Sequence, residues 1–237
     1  GGDMDFPMQK VLAAVGITEA MNITPQGVSE YSNVWAFPLQ RRLGLGASES
    51  KNRYMDRQPV ELTTDRFCDA LNSWLAQAKT KNNTGTLKLN EDGVGWIKAL
   101  LGELLENAER HSDGDRRDGS WAISGFMARR EENDEFVYRI QVGIVSIGDT
   151  FSESLKRATF KQKDRIEAYL SDMKKLGAKQ SKSTLRTLAA LQDGVTCVQE
   201  ADEDGRGGYG LMEMLALSNL LGATAVQEKL PKITIIS

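Results

Sequence analysis

The sequence predicts an α/β protein in which helices cover one face of a mixed β-sheet. The first observation behind this prediction is the order of patterns after residue 86, namely strand, helix, strand, strand, helical insert, glycine-rich loop, helix and strand. The second is the composition: 40% of the 237 residues are hydrophobic and 27% are charged, which suffices for a sizeable core. Packed layers around one core are the usual solution for such a pattern, so we expect a two-layer α/β sandwich.

Residues 1–85 are predicted to form an N-terminal extension whose role the sequence does not assign. A short strand is expected at residues 33–39, ended by Pro38 because proline cannot donate to a β-ladder. A helix is expected from Thr64, with Thr64 or Asp65 as its cap. Its apolar residues recur at helical spacing, and Cys68 is predicted to join them in the core.

The elements of the second region, residues 86–237, follow from the same kind of pattern. We expect a short strand at 86–89, a helix at 94–110, and two strands at 121–129 and 136–147 joined by a hairpin connection at 131–135. The nearly continuous apolar run from Val142 to Ile147 predicts that the second of these strands is buried. Residues 153–191 are helical in composition with a break at Gly177. Residues 211–221 predict a helix with Gly222 as its C-cap, and residues 232–237 predict a final strand.

Charge and residue counts exclude several classes of function. The 30 basic and 33 acidic residues give a formal charge of −3, so nucleic acid is not indicated as a partner, although a local basic patch is compatible with this total. A single histidine excludes a His-rich metal site within one chain, and two isolated cysteines do not make a disulfide framework. There is no apolar run of about 18 residues and no signal-peptide pattern, so we expect a cytoplasmic protein that does not interact with membranes.

The first candidate site is a carboxylate and an amide on the predicted helix 94–110. Glu103 and Asn107 are four residues apart, so they share one face of that helix, away from its leucine stripe. A carboxylate can orient and deprotonate a water molecule, and an amide oxygen can ligate Mg²⁺ beside phosphate oxygens. The alternative is an ordinary amphipathic helix with a polar outer face.

The second candidate site is the glycine-rich loop that precedes the helix at 211–221. Its sequence from Gly205 to Leu211 is GRGGYGL, in which Arg206, Gly207, Gly208 and Gly210 are the candidate ligand-binding positions together with Leu211. Glycines let the backbone approach a phosphate, and the amides of the following helix N-terminus attract the anion. No Gly-Lys-Ser/Thr follows, so this is not a Walker motif, and a flexible connection is the alternative.

The order of these motifs resembles the GHKL superfamily of ATPases, which includes DNA gyrase, heat-shock chaperones, histidine kinases and MutL. Residues 101–112, LGELLENAERHS, are similar to the N box of that family, and residues 205–223 are similar to its last glycine box and the following helix. Val145-Ser146-Ile147-Gly148-Asp149 stands where the first glycine box is expected. The resemblance covers residues 86–237 and implies a Bergerat-type ATP-binding domain.

The resemblance also implies roles for individual residues. An Asn at the position of Asn107 would hold Mg²⁺ against the phosphates of ATP, and a Glu at the position of Glu103 would act as general base. Residues 151–204 would form an enlarged ATP lid whose Lys and Arg side chains could reach the phosphates on closure. Hydrolysis in this family often drives dimerisation or a change seen by a protein partner, so we expect a homodimer or such a partner.

The first glycine box departs from the family pattern. The family usually has an Asp that accepts a hydrogen bond from adenine, whereas this chain has Ser146 there, and Thr150 replaces the second glycine. Three explanations stay open: an adapted pocket, substitution by a water or by Asp149, and a decayed site. Two other functions therefore stay open as alternatives to ATP hydrolysis, namely a serine protein kinase of the anti-sigma-factor type and a non-catalytic interaction module.

His111 lies on the candidate pocket helix, so we expect a pocket-edge or structural role for it.

Overall fold

The computed structural model describes residues 9, 12–13, 15–16, 34–42, 60–77, 86–110, 121–132, 135–146, 148–197, 210–221 and 232–235. It contains two compact units, of which the first comprises residues 1–98 and 118–147 and the second residues 99–117 and 148–237. The described residues form a three-stranded sheet and six α-helices. The predicted α/β class is confirmed, and the described strands are all antiparallel. The predicted boundary between residues 85 and 86 stays a prediction.

The first unit contains the sheet. Strand β1 spans Val34–Arg42, β2 spans Trp121–Glu132 and β3 spans Glu135–Ser146. Their order is β1-β2-β3, so β2 is central. The pair Glu132 and Glu135 closes the β2–β3 ladder, which leaves a two-residue connection and confirms the predicted hairpin.

Helix α1, Val60–Gln77, packs on this sheet through aromatic side chains. The Phe67 ring meets the Phe37 ring of β1 edge-on with centroids 5.1 Å apart. Gly125 of β2 lies under Phe67, and a Cβ atom there would be 3.2 Å from the Phe67 ring and 2.9 Å from the Gln141 carbonyl oxygen. Only glycine fits this crossing of helix and sheet. Cys68 is buried on the same helix, as predicted, and burial raises the pKa of its thiol.

Two predicted boundaries in the first unit are wrong. The strand that was expected to end at Pro38 continues to Arg42. The pairing register shifts between Phe37 and Gln40, so Pro38 lies in an irregular part of the ladder where it does not have to donate a backbone hydrogen bond. Helix α1 begins at Val60, so Thr64 is not its cap. The Thr64 hydroxyl instead donates to the Glu61 carbonyl oxygen at 2.9 Å within the helix.

Three predicted strand properties are also corrected. Residues 86–89 are not a strand, and the Leu89 amide donates to the side-chain oxygen of Asn72 instead of to a ladder. Strand β3 is exposed rather than buried in the described residues, since it lies at the sheet edge and Val145 is 65% exposed. Residues 232–235, the described part of the predicted final strand, have no strand conformation.

Helix α2, Glu91–Arg110, begins three residues before the predicted start. The Asn90 side chain accepts a hydrogen bond from the Gly93 amide at 2.8 Å, which satisfies one of the free donors of the first turn. Residues 91–98 of this helix belong to the first unit and residues 99–110 to the second.

The second unit also contains four later helices. They are α3 at Phe151–Ser154, which continues into a 3₁₀ turn at Leu155–Arg157, then α4 at Phe160–Lys175, α5 at Lys182–Ala190 and α6 at Gly210–Leu221. Thr150, Thr159 and Ser181 cap α3, α4 and α5. Gly177 has a φ of 80°, a conformation that glycine adopts without strain, so the predicted helix break is confirmed. The predicted C-cap Gly222 lies outside the described residues.

A hydrophobic cluster holds the helical segment 151–197 together. Its buried members come from α3 to α5 and the turns around them: Leu155, Ala158, Ile166, Leu170, Leu185, Ala189, Ala190 and Val195. This segment therefore has its own core. Among the described residues, no helix combines the length and the apolar character that crossing a membrane requires.

Candidate functional site

Helix α2 presents Glu103 and Asn107 on the side away from its buried leucines. Leu101 and Leu105 are buried and anchor the helix. Glu103 follows Leu101 by two residues and Asn107 follows Leu105 by two residues, which places each of them about 200° around the helix from that leucine. Both are nonetheless half-buried, so another part of the second unit covers them.

That neighbour is Gly210, the first residue of helix α6. A Cβ atom on Gly210 would overlap Glu103 Oε2, and it would lie 3.2 Å from Glu103 Cδ and 3.7 Å from Asn107 Nδ2. The carboxylate and the amide therefore converge on the same backbone position. A larger residue at 210 would force the carboxylate away. The sequence predicted that this helix face and this glycine belong to one site, and all three residues lie within the second unit.

The electrostatics of this position favour negative charge. The first amides of an α-helix have no partner within the helix, and their dipoles add to a partial positive charge at its N-terminus. Helix α6 is 12 residues long, and its N-terminus lies beside the Glu103 carboxylate. In the described part of the chain neither Glu103 nor Asn107 has a hydrogen-bond or ion-pair partner.

The remaining residues of the glycine-rich loop are only partly described. Arg206, Gly207 and Gly208 lie outside the described residues, as does His111. Leu211 is half-buried and packs against the hydrophobic cluster of segment 151–197. Its side chain therefore joins α6 to that segment.

The residues of the first glycine box lie in different parts of the fold. Ser146 is the last residue of β3, is exposed and pairs with Trp121 in the first unit. Gly148 and Asp149 belong to the second unit, where the Asp149 carboxylate forms an ion pair with the Arg157 guanidinium. Arg157 was not predicted from the sequence, because an eight-residue spacing across a loop and a 3₁₀ turn matches no periodic pattern. To accept a hydrogen bond from a ligand, the Asp149 carboxylate would have to break its ion pair with Arg157 or bind the ligand and Arg157 at the same time.

The residues around Gly210 include one amide and one carboxylate, whose oxygens are of the type that magnesium binds. The described residues contain no group of three or more His, Cys, Asp and Glu side chains that could hold an ion. Magnesium in nucleotide sites usually takes one or two protein oxygens and completes its shell with phosphates and water. The Asn107 amide can supply such an oxygen, whereas the Glu103 carboxylate occupies the space beside the Gly210 backbone that a Cβ atom would take.

Comparison of the chain with protein-family models, curated proteins and solved structures finds no match. The candidate site therefore depends on its own geometry and on the motifs from which it was predicted.

Proposed function

We propose that the chain binds ATP with Mg²⁺ at the site formed by Glu103, Asn107 and Gly210, and that it hydrolyses ATP slowly as a conformational switch. The observation that carries this proposal is the convergence of a carboxylate and an amide, four residues apart on α2, on the first residue of α6. It is the arrangement that the N-box and glycine-box motifs predict for a GHKL-type ATPase. A two-layer Bergerat-type sandwich is part of the same proposal.

In this mechanism Glu103 is the general base. Its carboxylate would orient a water molecule and accept a proton as the water oxygen bonds to the γ-phosphorus and the bond from that phosphorus to the bridging oxygen of ADP breaks. General-base catalysis of this kind typically contributes about 10²–10⁴-fold in rate. Asn107 would hold Mg²⁺, which neutralises charge on the phosphate oxygens when it is bound. The N-terminal amides of α6, beginning at Gly210, would receive phosphate oxygens.

The helical segment 151–197 would act as the body of the lid in this proposal. Its own hydrophobic core lets it move as a unit, and Leu211 links that core to the helix that carries Gly210. Closure over a nucleotide would thus be transmitted to a protein partner or to a second copy of the chain. The expected readout is a change in assembly that depends on the nucleotide state.

Glu103→Gln is the substitution that tests the catalytic role. It keeps the shape of the side chain and removes its basicity, so phosphate release should fall at least about 100-fold while binding of an ATP analogue persists. Glu106→Gln, an exposed carboxylate on the same helix, serves as the control and should retain wild-type turnover. Equal turnover in wild type and Glu103→Gln would disprove the general-base role.

A non-catalytic interaction module is the second candidate, and two observations favour it. The Asp149 carboxylate is paired with Arg157, and the usual adenine acceptor is replaced by the exposed Ser146. Under this alternative the chain has no saturable affinity for ATP, and Glu103→Gln leaves partner binding unchanged. Titration with nucleotide separates the two functions before any assay of turnover.

A further inference from the structure

The helical segment 151–197 carries a charge opposite to that of the whole chain. It contains ten Lys or Arg residues and five Asp or Glu residues, a formal charge of +5, whereas the complete chain has −3. These residues all lie in one segment that has its own hydrophobic core, so the positive charge is concentrated on the surface of that segment. A polyanion is the class of partner that such a surface attracts.

One face of helix α4 combines this charge with an exposed aromatic ring. Phe160, Lys163, Glu167 and Lys174 fall on the same side of the helix, next to the stripe that carries the buried Ile166. The Phe160 side chain is 79% exposed, although a phenylalanine is usually among the more buried residues of a protein. Lys163 and Lys174 are exposed and have no acidic partner in the described part of the chain.

Helix α5 adds two further cations to this face. Lys182 Nζ and Arg186 Nη2 each lie 3.2 Å from the same Glu167 oxygen. One carboxylate therefore serves two cations, which leaves an excess of positive charge. Asp164 lies beside Phe160 at the edge of the face and offsets part of this excess. We call Phe160, Lys163, Lys174, Lys182 and Arg186 the basic face.

A groove lined by hydroxyl groups lies on the helix that carries Lys182 and Arg186. Its cavity of about 310 Å³ is bounded by Ser181, Ser183, Thr184, Thr187 and Ile235. Serine and threonine hydroxyls commonly contact the phosphates and sugars of nucleic acids. The groove thus adds polar groups suited to a sugar–phosphate backbone on the same helix as the two cations.

We propose that the basic face binds single-stranded nucleic acid, with a base stacked on Phe160 and backbone phosphates paired with Lys163, Lys182 and Arg186. Aromatic platforms combined with a cationic track are how proteins bind single strands without reading sequence. An acidic peptide would satisfy the cations but would give the exposed ring no planar partner. The proposal does not depend on ATP binding, because the basic face contains none of Glu103, Asn107 and Gly210.

The experiment is a fluorescence-anisotropy titration of the full chain with a labelled deoxythymidine oligomer of about 12 nucleotides, at several salt concentrations. Phe160→Ala should weaken binding about 5- to 150-fold, the range expected for loss of one stacked base. The double variant Lys163→Gln/Lys182→Gln should lower the slope of log K against log salt by about 1.4, since each phosphate contact contributes about 0.7. All three positions are exposed, so the variants should keep the fold.

Matched controls lie on the same segment. Leu176 is also 79% exposed but lies beyond the end of α4, and Lys161 and Lys179 are exposed lysines outside the basic face. Leu176→Ala and Lys161→Gln/Lys179→Gln should leave affinity and salt slope near the wild-type values. Absence of binding at low salt, equal losses in test and control variants, or equally effective competition by polyglutamate would each overturn the proposal, the last by indicating an acidic protein partner.

Discussion

Replacement of Gly210 by alanine isolates the contact on which the proposed site depends. The new methyl group would overlap Glu103 Oε2 and lie 3.2 Å from Glu103 Cδ, so the carboxylate must turn away. The backbone at residue 210 is not in the left-handed region, and alanine is the better helix former by up to about 1 kcal/mol. A changed rotamer of Glu103 costs about 0.5–1.5 kcal/mol, so these terms nearly cancel and the free energy of unfolding should stay within about 1 kcal/mol of wild type.

Activity should respond far more than stability. A displacement of a catalytic group by about 1 Å costs on the order of 100-fold in rate, so ATP turnover should fall by at least that factor. Phosphate release under saturating ATP measures the turnover, and urea denaturation measures the free energy of unfolding. Gly102→Ala is the control, because a Cβ atom at that position has no neighbour within 4 Å and lies next to Glu103 in the chain. Wild-type turnover in a folded Gly210→Ala protein would refute the assignment of this contact to the active site.

Two further predictions concern the fold itself. Gly125→Ala should lower the free energy of unfolding of the first unit by about 1–3 kcal/mol in urea denaturation, because its methyl group meets a carbonyl oxygen at 2.9 Å. Gly143→Ala is the control and should be nearly neutral, because a Cβ atom there has no neighbour within 4 Å. Equal stability of the two variants would contradict the close packing at residue 125. The Thr150 amide and hydroxyl donate to Glu153 and hold the pKa of its carboxyl below the usual value of about 4.3, so this capping box should contribute at higher pH and be lost as the pH falls through the lowered pKa. Amide hydrogen exchange at Glu153 should therefore show an acid-side loss of protection that Glu153→Gln removes, and an unchanged profile in that variant would contradict the assignment.

Local periodicity predicted those parts of the fold that depend on nearby residues. The helical stripe of α2, the β2–β3 hairpin and the break at Gly177 follow from spacing and turn chemistry, and the structure has them close to the expected positions. Gly210 lies beside Glu103 and Asn107, while the role of these residues as a nucleotide site stays a prediction.

Features that depend on distant neighbours could not be predicted in this way. An apolar run such as that of β3 indicates a strand but not whether a neighbour covers it, and β3 lies at the edge of the described sheet. Pro38 was assigned as a stop, although an irregular register accommodates it. The ion pair of Asp149 with Arg157 joins a loop to a 3₁₀ turn, and no spacing rule predicts such a pair.

Calorimetric titration with a non-hydrolysable ATP analogue, with and without Mg²⁺, tests the proposed function most directly. We expect saturable binding that requires Mg²⁺ and is lost in Asn107→Ala, because the amide oxygen at that position would hold the ion. Asn219→Ala, which removes an exposed amide on α6, should bind as the wild type does. Absence of saturable binding at millimolar nucleotide, or equal affinity in wild type and Asn107→Ala, would contradict the ATP site.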